Sequence, residues 1–452
     1  MEELMLAKSM LRMPVFALIA CAGAQTPALA APTLPHDLDI SFDVDVGEPL
    51  MIAGQEQTAY IKITLGGFAL PQRTRSPINL GIVLDRSGSM ASDGKLDKAK
   101  EAALMALDRL QPDDIISVVT FDSTVDVVVP AMKASDHDGI RERISSLTPR
   151  GETALFSGVS FGLQEVGKFL DPRRVNRIIL LSDGQANVGP RSPNELGQLG
   201  ESAARRGISI TTIGLGLGYN EDLMAQLAMR SDGNHAFAEN GSDIAKIFNY
   251  ELGDILSVVA QDVQLDIDFS DGITPVRALG REATITGRKA KISLAQLYAK
   301  QQKHVLFEVK VPPGMAGNKR ALADVAVSYA NMISKKRASK RAGAAVEFSL
   351  AKEQVAARQN KSVMEAAVEA IATDNNRRAV ALRDQGKVDE ASKELERNAV
   401  YLKRESQRLG SKKLEAYSDE NELDSKNVKS DWGKARKTMR ETQTKNAMQR
   451  SW

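Results

Sequence analysis

Two rhythms of apolar and polar positions divide the chain. Residues 37–70 alternate with period two in "LDISFDVDV" and "TAYIKITL", interrupted by "GEP" and "AGQ". Successive side chains of a strand face opposite ways, so this predicts antiparallel strands with one wet face. From Ile78 to about Ser257 the pattern changes. Apolar runs ("INLGIVLD", "IISVVTFD", "VDVVVPA", "RIILLSD", "ISITTIGLG", "NHAFAEN") alternate with helical stretches at 95–110, 136–147, 154–170, 192–206, 220–230 and 242–256. Leu96, Ala99, Ala103, Leu107 and Leu110 share one face of the first helix. Strands without a polar side need cover on both faces, and helices crossing between parallel strands supply it. Period two returns between Val258 and about Leu350, in "VQLDIDF", "TITGRKAKISL", "HVLFEVKVPP" and "ADVAVSYA".

The economical architecture is an α/β fold with a doubly wound, mostly parallel sheet, inserted into an antiparallel β-sandwich. Residues 78–257 would be the α/β domain, with 37–72 and 258–350 the two parts of the sandwich. The remaining segment, 351–452, is rich in Ala, Lys, Glu, Arg and Gln and has helical rhythm, with a turn at Gly386. Beyond Leu409 it leans basic, and loosely packed helix or partial disorder is expected there. "PQRTRSP" reads as a polar linker.

The first 30 residues read as a targeting segment. Lys8 and Arg12 precede "MPVFALIACAGA", too short to span a bilayer, and Ala28 and Ala30 mark a cleavage site. Cleavage after Ala30 places the mature protein in the periplasm or outside the cell. The alternative is a lipoprotein signal, with Cys21, the chain's single cysteine, lipidated and holding the protein to a membrane. Ordinary cleavage removes that cysteine, and the cores must then stabilise the fold without disulfides.

The formal net charge of +2 and an aromatic content of 5% give no reason to expect a nucleic-acid partner. His36, His137, His235 and His304 are scattered and form no spaced pair. "GVSFG" around Ser160 matches a nucleophile elbow, but it lies inside a helical stretch rather than at a strand-to-helix turn, so no enzyme is expected. "GLGLGYNED", 214–222, has the wrong glycine spacing for a dinucleotide fingerprint.

The chemistry lies in "LDRSGSM", residues 84–90. Asp85, Ser87 and Ser89 follow a buried strand, and Gly88 with "ASDG" allows the backbone to turn so that the three converge. Ligands of open α/β sheets bind at such carboxyl ends of strands. Oxygen-only donors suit Mg²⁺, Mn²⁺ or Ca²⁺. Three are too few; Thr153 in "PRGETALFSG" and Asp183 in "IILLSDGQAN" offer more, each in a loop after a strand or before a helix. The bland reading of Asp85, a helix cap or turn residue, accounts for one of these positions and not for all five.

In this order the five positions resemble the metal-ion-dependent adhesion site of von Willebrand factor A domains: Asp-x-Ser-x-Ser, then Thr, then Asp. Glu152 stands where that family often has Gly. The flanking segments are similar to bacterial secreted von Willebrand factor A-domain proteins, with a layout loosely like the inter-alpha-trypsin inhibitor heavy chains. The resemblance implies a divalent cation, Mg²⁺ first and Mn²⁺ or Ca²⁺ otherwise, held by Asp85, Ser87, Ser89, Thr153 and Asp183. It further implies a coordination position left for an acidic side chain of a protein partner, and hence an adhesion or scaffold role in the bacterial cell envelope. The competing expectation is a structural envelope-assembly protein whose α/β domain is a spacer and whose helical tail makes the contacts.

Overall fold

The computed structural model describes residues 38–71 and 74–449. The targeting segment with Cys21, and His36, lie outside the described residues. Strands β1 (Ser41–Val46), β2 (Leu50–Ile52) and β3 (Gln57–Gly66) come first. The α/β unit follows: β4 (Ile78–Asp85), α1 (Lys95–Arg109), β5 (Ile115–Phe121), β6 (Val125–Lys133), α2 (His137–Ser145), α3 (Leu155–Gly167), β7 (Val175–Ser182), α4 (Pro193–Arg205), β8 (Ile208–Leu215), α5 (Glu221–Arg230), β9 (His235–Ala238) and α6 (Gly241–Leu256).

Its sheet has the order β6-β5-β4-β7-β8-β9. Strand β6 runs antiparallel to β5, and all other pairs are parallel. The departure has a local cause. A turn through Asp122–Thr124 joins β5 to β6, too short for the crossover a parallel pair needs. The strand order reverses between β4 and β7, which opens a crevice at their carboxyl ends.

All eight residues of β4, β5's seven, and all eight of β7 and β8 are buried. Side chains alternate between two cores. Ile78, Leu80, Ile82 and Leu84 pack under α1 and α6, and Val83 packs under α3 on the other face. Close approach of α3 requires glycine: a Cβ on Gly162 would stand 2.6 Å from Val83 Cγ2, and one on Gly158 would stand 2.5 Å from the Phe121 ring. This accounts for "GVSFG". Ser160 turns its hydroxyl onto the Phe156 carbonyl at 2.8 Å, inside the helix.

Strands from both sides of the α/β unit then combine. They are β10 (Val258–Phe269), β11 (Thr274–Leu279), β12 (Thr284–Thr286), β13 (Lys289–Tyr298), β14 (Gln302–Val311), β15 (Lys319–Asn331) and β16 (Arg337–Ser349). One sheet is ordered β1-β3-β14-β11 and the other β12-β13-β10-β15-β16-β2. The two share a core containing Ile61, Ile63, Val263, Leu265, Phe307 and Val325, with Phe269 and Phe307 edge to face at 5.4 Å.

The tail is α7 (Lys352–Ala357), α8 (Lys361–Asp384), α9 (Val388–Leu409), α10 (Lys412–Ser430) and α11 (Trp432–Met448). Gly386, at φ 80°, makes the turn between α8 and α9. The segment beyond Leu409 is not loose. Leu414, Tyr417, Val428 and Met439 are buried, and an amide network joins four helices, α8 to α11. Gln443 donates to Asn376 at 2.7 Å, while Asn376 and Asn398 donate to Asn421 at 3.1 and 3.0 Å. Buried amides satisfied by one another hold helices together without an apolar stripe. Among the described residues no helix is long and apolar enough to cross a membrane.

Candidate metal centre

Asp85 ends β4 and Asp183 follows β7, so the two carboxylates flank the crevice where the strand order reverses. Asp85 is fully buried. Its Oδ1 accepts from the Ser87 amide at 2.8 Å, and its Oδ2 accepts from the Ser182 hydroxyl. The chain then turns through Gly88–Gly94, with Asp93 at φ 56° and Gly94 at φ 64°. The turn brings the Ser87 and Ser89 hydroxyls to 3.1 Å from each other, and Ser89 donates to Asp183 Oδ1 at 2.7 Å. It also launches α1 at Lys95, whose ammonium lies 2.6 Å from Asp183 Oδ2.

Thr153 arrives on the loop before α3. Arg150 N–H donates to the Arg86 carbonyl at 2.7 Å, Gly88 N–H to Gly151 at 3.0 Å, and Ala154 N–H to Asp122 at 2.8 Å. Asp122 also receives Arg86 Nε and Arg150 Nε, each at 2.8 Å, and Asp126 receives both guanidiniums. Burial would raise Asp122, but hydrogen bonds from Arg150 and Thr124 and the charge of Arg86 bring it down to about 2. Charged, it fixes the Thr153 loop against the Asp85 loop. Asn187 holds Thr153 from the far side, its Oδ1 accepting the Thr153 amide at 2.7 Å. Glu152 is exposed, with its amide on Ser123 Oγ at 2.9 Å.

Thr153 completes the group across a gap. A Cβ added at Gly184 would lie 2.8 Å from Thr153 Oγ1 and 3.5 Å from Asp85 Oδ2, so glycine keeps open a space bounded by both. The structure thus brings all five sequence-predicted positions to one crevice. Asp85, Ser87, Thr153 and Asp183 are buried, while Ser89 is exposed and opens the group to solvent. Burial raises Asp85 to about 6 against the hydrogen bonds from Ser182 and Ser87, with Asp183 adding to the rise. A carboxylate so destabilised gains from a cation placed beside it.

Oxygen donors, two of them carboxylates, around a glycine-lined space fit a hard divalent cation. Among the described residues no group of three or more His, Cys, Asp or Glu could hold a metal, so a cation here depends on the hydroxyls. The sequence reading missed Ser182 and Lys95. Ser182 stood in plain view in "LLSDG"; Lys95 is 88 positions from Asp183 and gave no signal. His235 is buried between Thr212 at 2.9 Å and Tyr219 at 3.4 Å. "GLGLGYNED" packs rather than cradles: a Cβ on Gly214 would overlap the Tyr219 ring at 2.2 Å. A cleft of about 1410 Å³ between α4, α5, β13 and α11 contains none of the five residues.

Residues 79–249 match the model of the von Willebrand factor type A domain. The chain is 30% identical over 206 residues to the uncharacterized protein YfbK of Escherichia coli (strain K12), covering 45% of this chain and 36% of that protein. It is 26% identical over 224 residues to human inter-alpha-trypsin inhibitor heavy chain H3, covering 47% of this chain and 24% of the heavy chain. The chain therefore spans a quarter to about a third of these relatives. The same fold occurs in a solved von Willebrand factor type A protein from Catenulispora acidiphila, with a TM-score of 0.67 and 17% identity, over 82% of this chain and 87% of that one.

Proposed function

Residues 79–249 form a von Willebrand factor type A domain, and on that premise we propose that the protein binds a protein partner through a divalent cation at the crevice between β4 and β7. Domains of this family typically mediate metal-dependent protein interaction or adhesion, and their relatives are mostly non-enzymatic. The observation that carries the reading is the continuous hydrogen-bonded set Ser182–Asp85–Ser87–Ser89–Asp183, closed by Thr153 across Gly184.

Bound there, the cation supplies an electrophilic centre able to accept a carboxylate oxygen from the partner. The chain's part is to hold oxygen donors and limit their charge. Three of the five donors are neutral hydroxyls, and Lys95 offsets one of the two carboxylates. The protein charge around the ion is thus too small to neutralise it, which leaves it receptive to an outside acid. Ser182 and the Ser87 amide fix the Asp85 oxygens. Ser89, at the exposed rim, is the side from which a partner approaches. We place this activity in the cell envelope, the compartment expected from the targeting segment. The tail is less suited to be the main contact, because its amide network and most of its apolar side chains are used within the chain, Val400 and Leu423 being exposed exceptions.

Calorimetry with Mg²⁺, Mn²⁺ and Ca²⁺ tests the cation. The wild-type chain takes up at least one of them at millimolar concentration, and Asp85→Ala abolishes uptake with an unchanged circular dichroism spectrum. Capture of a partner from envelope extract should then require the ion and disappear with chelator. Heats of the wild type equal to those of Asp85→Ala for all three ions, or partner capture that survives both chelator and Asp85→Ala, would remove the proposal.

A further inference from the structure

We infer that the β15–β16 hairpin is an electrostatic docking surface for an anionic phospholipid bilayer, at the end of the molecule opposite the metal centre. Between Lys335 and Arg341, five of seven residues are basic: Lys335, Lys336, Arg337, Lys340 and Arg341. The chain as a whole carries only +2, so this concentration is local. Arg173 and Arg174 extend it, with Lys335 Nζ donating to the Arg173 carbonyl at 3.1 Å. Acidic neighbours match some of the charge: Arg337 pairs with Asp262 at 2.6 Å, Lys340 with Asp39 at 3.0 Å, and Arg173 with Asp171 at 2.9 Å. Among the described residues Lys335, Lys336, Arg341 and Arg174 form no ion pair with an acid, and the first three are exposed. Partial burial and the guanidiniums of Arg173 and Arg174 hold Lys335 below the ordinary lysine value, against Asp171. An external anion would relieve that crowding.

Position selects the partner. Arg174 precedes β7 and Asp183 follows it, so the strand's eight residues place the patch about 26 Å from the metal centre. The chain also enters the described fold here: Asn331 donates to the Leu38 carbonyl at 2.7 Å, and Lys340 to the Ile40 carbonyl. Along 337–346 the outer side of β16 has no paired strand, and residues 335–341 contain no aromatic on which bases could stack. An exposed hairpin without a groove fits headgroups on a plane. On such a surface the molecule would present the metal centre to the opposite side.

The test is sedimentation of the full chain with vesicles of phosphatidylcholine alone, or with about a third phosphatidylglycerol, in chelator so that bound cation cannot bridge to lipid. We expect anionic vesicles to be preferred at least about a hundredfold at low salt, with the preference lost as salt screens it. Replacing Lys335, Lys336 and Arg341 together by Gln should cut anionic affinity about fivefold per cation, roughly a hundredfold in all, and leave neutral-vesicle binding and circular dichroism unchanged. Asp85→Ala should bind vesicles as the wild type does, which separates this surface from the metal reading. Equal affinity for both vesicle types, a triple variant indistinguishable from wild type, or capture of a duplex DNA probe without vesicle binding would overturn the inference.

Discussion

Arg177 offers the sharpest test of how the α/β unit is joined to the sheets around it. It lies in β7, fully buried, and donates to four side chains: Ser209 Oγ at 2.8 Å, Gln296 Oε1 at 3.2 Å, Glu251 Oε2 at 3.2 Å and the Tyr298 hydroxyl at 3.0 Å. Glu251 belongs to α6, while Gln296 and Tyr298 belong to β13, so one guanidinium ties strand, helix and neighbouring sheet. Glu251 also receives Thr211 at 2.7 Å and Asn234 at 2.9 Å, both neutral. Arg177→Met removes the positive charge that faces the buried Glu251 carboxylate. Breaking one side of a buried pair in this way costs about 3–5 kcal/mol. Replacing both partners, Arg177→Met with Glu251→Gln, removes both charges; the amide oxygen keeps Asn234 as donor, and the Thr211 hydroxyl, bonded to the other oxygen, can turn to accept from the amide nitrogen, so the pair of changes should cost about 2 kcal/mol less than the sum of the single ones. Urea unfolding of the four proteins, followed by circular dichroism, measures this coupling. An Arg177→Met cost below about 1 kcal/mol, or strict additivity, would refute the assignment of Arg177 as a charge-compensated joint.

Other consequences follow from single contacts. Burial and Glu420 push Asp424, on α10, up to about 7, against a hydrogen bond from Asn376. The folded state therefore favours the neutral acid: its contribution is fully present below 3.8 and lost as pH rises through about 7. Asp424→Asn should raise the melting temperature at pH 8 and flatten its decline between acid and neutral pH, read by thermal scans across that range. Gly158→Ala drives a methyl group into the Phe121 ring, 2.5 Å away, and should cost about 1–3 kcal/mol in urea unfolding. Lys95→Gln removes a cation 2.6 Å from Asp183 and should tighten divalent-ion binding about tenfold by calorimetry, since the ammonium repels the ion.

The parts legible in the sequence are those governed by neighbours along the chain. The reading placed β4 at 78–85, where it is found, and the last helix of the α/β unit at 242–256, against 241–256 observed. The first comes from an unbroken apolar run and the second from helical periodicity. Strand β16 was missed because Arg, Lys, Ala and Gly fill its first half, whose exposed edge demands no apolar residues. The last two helices were underestimated because Asn376, Asn398, Asn421 and Gln443 satisfy one another only after folding. At the candidate site, Asp85, Ser87 and Ser89 announce themselves by spacing. The braces Arg86, Arg150, Asp122 and Asp126 do not, since only the placement of β5 and the α3 loop makes them neighbours.

The same long-range contacts decide which perturbation can separate a metal-binding role from a spacer role. Lys437, on α11, is buried and donates to the Tyr219 carbonyl at 2.8 Å and to Glu221 at 2.7 Å, with its ammonium 4.2 Å from the Tyr219 ring centre. Tyr219 lies in the loop after β8, where a Cβ on Gly218 would come within 2.9 Å of the Asp183 carbonyl. Two residues before Tyr219, Leu217 is exposed on the same loop. Further along α11, Glu441 accepts the Phe237 amide of edge strand β9 at 3.1 Å. The final helix therefore supports the wall of the crevice between β4 and β7 and covers the end of its sheet. Removing residues 351–452 would release the Asp183 wall, bare β9 and uncover the face of β3 under α8, so lost partner binding would implicate the tail and the metal centre alike. Asp85→Ala leaves every one of these tail contacts in place. Loss of cation-dependent binding in that variant, with α11 still docked, assigns the interaction to the crevice; retention assigns it elsewhere.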